Sequence, residues 1–139
     1  MNKLISDDFF NGYIFKLNCL QRSTSKNFFE NILNSKKKII SISPLAGGKF
    51  EEIMNNFDPK LKKELDTIMI ENDLNNYNSL NIAFLKSIHN MELAIFGTKK
   101  ADRLLNIKSQ LEKIKPLKKG YLDKILTLQE EYKSNISFF

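Results

Sequence analysis

Met91-Glu92-Leu93-Ala94-Ile95-Phe96-Gly97-Thr98-Lys99-Lys100-Ala101-Asp102-Arg103 is the stretch on which the reading of the fold turns. Its apolar run from Leu93 to Phe96 stops at Gly97 and gives way to a hydroxyl, two lysines and an amphipathic pattern in Ala101, Leu104, Leu105 and Leu111. That order predicts a buried strand turning sharply into a helix. The first turn of such a helix directs unpaired N–H groups, and the positive end of its dipole, out of the turn. Lys99, Lys100 and Arg103 add charge there, so a phosphate site is one reading. A turn glycine with solvated lysines around it is the other, and these residues alone do not separate the two.

The chain has 139 residues, enough for one domain (1–139) with a real core and too few for two. Its 22 Lys and Arg against 16 Asp and Glu leave a net charge of +6, which suits an anionic ligand without indicating nucleic acid. Lysine runs such as Lys36-Lys37-Lys38 read as solvated faces. Cys19 is the single cysteine, so no intrachain disulfide framework exists. Set in an apolar run, it reads as a small buried hydrophobe. Asp7 and Asp8 interrupt the N-terminal apolar residues of any signal peptide, and no apolar run approaches the roughly 20 residues of a membrane span. A cytoplasmic protein without membrane contact is expected.

Outward from the central stretch, residues 3–10 read as a helix ending at Asn11-Gly12, and Tyr13 to Leu20 as a mostly apolar strand broken by Lys16 and Asn18. Phe28, Phe29, Ile32 and Leu33 fall at helical spacing, with Ser23, Thr24 or Ser25 as cap and an end near Ser35. Ile39 to Ser43 is a short β-branched strand closed by Pro44. Helical spacing resumes in Phe50, Ile53, Met54 and Phe57, then in Leu61, Leu65, Ile68 and Met69, divided where Asp58 caps a helix with Pro59 at its first position. Asn75 to Asn78 reads as a loop, and Ser79 as the cap of a helix carrying Leu80, Ile82, Ala83, Phe84, Leu85 and Ile88. His89 falls at that helix's end, a partner for its dipole; with no second histidine, no metal site is expected. Pro116 and Gly120 bracket a break before a last amphipathic helix, Tyr121 to Tyr132. The final Ser137-Phe138-Phe139 fits no element.

Alternation of strands and helices predicts an α/β fold with a parallel sheet. Three strands are few for such a sheet, and both outer strands would have unpaired edges.

The segments Ile40-Ser41-Ile42-Ser43-Pro44-Leu45-Ala46-Gly47-Gly48, Asn81-Ile82-Ala83-Phe84-Leu85 and Ala94-Ile95-Phe96-Gly97-Thr98-Lys99-Lys100 with Arg103-Leu104 resemble, in this order, the C-terminal half of the aldo/keto reductases. Leu17-Asn18-Cys19-Leu20-Gln21-Arg22 is similar to that family's sixth strand, so the resemblance runs from about Tyr13 to Tyr132. It implies a partial (β/α)₈ TIM barrel, strands six to eight with their helices, where a whole barrel takes about 250 residues. It also implies NADPH-dependent carbonyl reduction, with the catalytic Asp, Tyr, Lys and His in a first half that these 139 residues do not contain. The resemblance places Ser43, Leu45 and Gly47 along the cofactor's pyrophosphate. It places Gly97, Thr98, Lys99 and Arg103 around the adenosine 2′-phosphate, Thr98 donating a hydrogen bond and Arg103 offering a planar fork. Where the family often has an aromatic residue, commonly Gln, and commonly Glu-Asn, this chain has Ile42, Ile14, and Asn106 with Ile107.

Two functions follow. One is an NADP(H)-binding half barrel that reduces carbonyls only when another segment or chain supplies the tetrad. The other is a non-catalytic remnant that associates with itself or with another protein through its open sheet edges. A basic nucleic-acid-binding domain is a third, less supported reading.

Overall fold

The computed structural model of the chain describes residues 9–132. Three strands, β1 (Gly12–Lys16), β2 (Lys38–Ile42) and β3 (Met91–Ile95), form one parallel sheet in that order. Among the described residues six α-helices accompany them. Helix α1 (Lys26–Leu33) connects β1 to β2; α2 (Phe50–Asn55), α3 (Pro59–Glu71) and α4 (Tyr77–Lys86) connect β2 to β3; α5 (Ala101–Lys113) and α6 (Tyr121–Glu131) follow. The fold is α/β with a parallel sheet, as the alternation of elements predicts. Most of the helix expected over 3–10, and the final Ser-Phe-Phe, lie outside the described residues.

Helix starts follow local chemistry. Ser25 caps α1, its hydroxyl accepting from Phe28 N at 3.3 Å. Asp58 caps α3, accepting from Lys60 N at 2.8 Å, with Pro59 at the first helical position. Helix α4 corrects the expectation: Asn76, not Ser79, is its cap, accepting from the Ser79 N–H at 2.8 Å and the Ser79 hydroxyl at 3.0 Å. Asparagine outcompetes serine there because its carbonyl reaches the N3 amide from the extended Asn76 backbone. His89 lies in an exposed turn past the Ser87 C-cap, and Lys86 is the cation of the last helical turn.

Strand β1 ends at Lys16, four residues before the expected Leu20. The Asn18 side chain causes the early end. Its Oδ1 accepts from both Leu20 N and Gln21 N at 3.0 Å, folding the chain into a turn that offers the backbone an alternative to the sheet.

All six helices leave one sheet face open. Phe15, Ile39 and Ser41 point into the core with Phe29, Ile32, Leu65, Ile68, Leu80, Phe84 and Ile125, and the Phe15 and Phe29 rings meet edge-on at 5.8 Å. Helix α4 runs through this core with eight of its ten residues buried. The alternate residues form rows across the sheet, Ile14–Ile40–Leu93 and Lys16–Ile42–Ile95. In these rows Ile14 is 63% exposed, Leu93 51% and Ile95 48%. This corrects the reading of Leu93 to Phe96 as buried: β3 is an edge strand with an uncovered face. Helix α5 likewise buries no residue, and Leu104, Leu105 and Leu111 of its apolar stripe are exposed. The pattern is apolar as read, but nothing among the described residues covers it. Lys86 ties the far end of α5, its Nζ donating to Leu111 O at 2.8 Å and Ile114 O at 2.7 Å.

Candidate cofactor site

A cleft of about 480 Å³ opens at the C-terminal ends of β2 and β3, a size usual for small-molecule sites. Its walls come from the loop after β2 (Ser43, Pro44, Leu45, Gly47, Gly48) and the loop after β3 (Phe96, Gly97, Thr98). One face of α5 (Arg103, Asn106, Ile107, Gln110), with Asn78 and Ile82 of α4, completes them. Six of the seven residues assigned to the cofactor from sequence therefore line one cleft: Ser43, Leu45, Gly47, Gly97, Thr98 and Arg103. Lys99 is exposed and lies off its wall.

Among the described residues the loop after β2 gathers the most left-handed backbone. Ser43 (φ 55°), Ala46 (φ 47°), Gly47 (φ 65°) and Gly48 (φ 78°) all lie in the left-handed region. Glycine accepts this freely, whereas Ser43 and Ala46 cost about 1 to 2 kcal/mol each and need support from their surroundings. That support comes from two buried amides. Asn18 Nδ2 donates to Ser43 O at 3.1 Å, and Asn81 Nδ2 donates to Pro44 O. Asn81 Oδ1 accepts from Cys19 N at 2.8 Å, and Gln129 Nε2 of α6 donates to Asn18 O at 2.7 Å. Arg22 continues the network, donating from Nη1 to Gln129 Oε1 at 3.2 Å and pairing with Glu130 at 2.8 Å. Asn18 and Asn81, both fully buried, position the loop; the sequence marks Asn18 only as a break in the strand and assigns neither to the site. An asparagine inside the apolar run Leu80 to Leu85 is the signal that could have found one of them, since a buried amide must be hydrogen-bonded.

The loop after β3 departs from the expected sharp turn. Helix α5 starts at Ala101, with Lys100 as its N-cap and no side-chain cap. The Thr98 hydroxyl is engaged locally, accepting from Lys100 N at 3.2 Å and donating to Lys100 O at 3.4 Å. Arg103, in the first turn of α5, reaches across the cleft: its Nη1 lies 3.6 Å from where a Cβ on Gly48 would sit. The guanidinium thus bridges the two loops, and among the described residues it has no carboxylate partner. Among the described residues that line the cleft, Arg103 carries the one charged side chain, so its guanidinium sets the charge there.

Of the positions where the chain departs from the aldo/keto reductase pattern, Asn106 and Ile107 line the cleft, whereas Ile14 and Ile42 lie on the open sheet face. Cys19 is buried and its thiol is pushed far up by desolvation, which suits a packed hydrophobe and not a nucleophile. Among the described residues no helix is long and apolar enough to cross a membrane. Compared with known proteins, the chain matches no protein-family model and no curated protein.

Proposed function

We propose that the chain is an NADP(H)-binding portion of an aldo/keto-reductase-like (β/α)₈ barrel, supplying strands six to eight and the phosphate-binding loops. The observation that carries this reading is the convergence of six residues named by the resemblance, five from the loops after β2 and β3 and Arg103 from the start of α5, on one cleft at strand C-termini. Phosphate sites of barrels form in this place from the last two loops. The open aliphatic face of Ile14, Ile40, Ile42, Leu93 and Ile95 supports the same reading, because the inner face of a barrel sheet is lined by branched apolar side chains. Arg103 supplies the planar fork for a 2′-phosphate, and the left-handed loop at Ala46 to Gly48 supplies a concave backbone for the pyrophosphate. These 139 residues hold no counterpart of the catalytic tetrad, so carbonyl reduction by the chain alone is not expected.

Titration calorimetry with NADPH on the wild-type chain and on Arg103→Ala tests the proposal. Saturable binding that weakens by roughly tenfold or more in the variant is expected from the loss of one charge-assisted contact. A folded wild-type chain that binds no NADPH would sink it.

The open aliphatic face also favours the second reading, association through the sheet, since exposed aliphatic faces with unpaired edges promote pairing. Sedimentation velocity distinguishes it: a concentration-dependent assembly in a chain that binds no nucleotide would make the scaffold the better account.

A further inference from the structure

We propose that Asn81 is a positioning residue that fixes the Pro44-Leu45 peptide so that the Leu45 N–H faces the cleft as an anion donor; the inference rests on the reading of the cleft as a cofactor site. Asn81 is fully buried in α4 between Leu80 and Ile82, where an amide is costly unless both of its ends are paired. Both are paired: Oδ1 accepts from Cys19 N at 2.8 Å and Nδ2 donates to Pro44 O. The second bond draws the Pro44 carbonyl into the protein. In a planar trans peptide the N–H points opposite to the carbonyl, and no described peptide is cis, so the Leu45 N–H points away from that buried amide. Leu45 itself lines the cleft.

Hydrogen bonding in the loop supports the assignment. Ala46 N donates to Ser43 O at 3.1 Å, Gly48 N to Leu45 O at 2.7 Å and Lys49 N to Ala46 O at 3.2 Å. Among the described residues the N–H groups of Leu45 and Gly47 meet no acceptor. Two free donors therefore alternate with committed ones through a left-handed turn, the backbone arrangement that forms an anion-binding concavity. The preceding peptide is held as well, by Asn18 Nδ2 on Ser43 O, and Pro44 has no N–H to compete for the ligand. The ligand class is a phosphate or pyrophosphate, held by these amides with Arg103 as its counter-charge.

Amide-resolved NMR titration of the whole chain with inorganic pyrophosphate, and separately with NADPH, tests this. The Leu45 and Gly47 amide resonances of the wild type should shift saturably. In Asn81→Ala the Leu45 shift should vanish and pyrophosphate affinity fall by about tenfold, the weight of one charge-assisted hydrogen bond. Ser41→Ala is the control, because it removes a buried bond of the same core, to Leu17 O at 2.7 Å, outside the loop. It should leave pyrophosphate affinity unchanged. Wild-type shifts at Gly97, Thr98 and Arg103 with a silent Leu45 would overturn the role of Asn81 and leave the cofactor site standing; so would unchanged affinity in Asn81→Ala. No response anywhere in the cleft to either ligand would overturn both. If Asn81→Ala does not fold, Asn81→Leu, of similar size and apolar like its buried neighbours Leu80 and Ile82, carries the same test, and a Leu45 shift kept in it would overturn the role of Asn81.

Discussion

Replacing Asn18 with alanine should destabilise the fold by about 3 to 5 kcal/mol, a large part of the 5 to 15 kcal/mol typical of a domain. The side chain is fully buried and makes three hydrogen bonds, accepting from Leu20 N and Gln21 N at 3.0 Å each and donating to Ser43 O at 3.1 Å. The three losses are unequal. Gln21 N keeps Asn18 O at 3.2 Å and Ser43 O keeps Ala46 N at 3.1 Å, so each costs about the 1 kcal/mol of an ordinary bond. Leu20 N–H loses its acceptor while buried and costs about 1 to 3 kcal/mol. Urea unfolding followed by circular dichroism should show a lower midpoint at an unchanged slope. A loss below about 1 kcal/mol would refute the reasoning, since it would mean that water replaces the amide and that the network holds nothing rigidly.

Three other outcomes are expected. Leu93→Lys and Ile95→Lys, on the open sheet face, should change stability by no more than about 0.5 kcal/mol, whereas Ile39→Lys on the covered face should unfold the chain; thermal melts of all three check this. The Tyr77 hydroxyl donates to Asp66 at 2.5 Å, and burial, reinforced by that carboxylate, holds its pKa above the ordinary value. The folded state therefore keeps this proton where the unfolded chain releases it near pH 10, so stability should fall as pH rises above about 10, and less steeply in Tyr77→Phe. Equal slopes of melting temperature against pH in the two proteins would contradict that. Cys19 should stay unreactive to a disulfide reagent in the folded chain and react fully in urea; rapid labelling of the native state would show that the turn at 18–21 opens.

Features set by neighbouring residues were legible in the sequence. Asp58-Pro59 divides two helices because a cap and a first-turn proline act within four residues, and β2 reads as a strand from its β-branched run. Choices between similar local partners were less legible: Asn76 and Ser79 both can cap, and only the extended backbone at Asn76 decides. Burial was misread where it depends on distant segments. Leu93, Ile95 and the α5 leucines carry an interior pattern, but pattern reports what a face can bury, not what lies against it. In the site, the glycines and cations were visible because turns and anions need those residue types. The roles of Asn18, legible only as a strand break, and of Asn81 were not, because a buried amide inside an apolar run acts through carbonyls 25 and 37 residues away.

The central claim is that the cleft between the two loops holds NADP(H), and a crystal structure of the chain grown with NADPH tests it most directly. The account predicts the pyrophosphate on the Leu45 and Gly47 amides and the 2′-phosphate against Arg103 beside Thr98. Nucleotide bound elsewhere, or a 2′-phosphate that leaves Arg103 untouched, would contradict it.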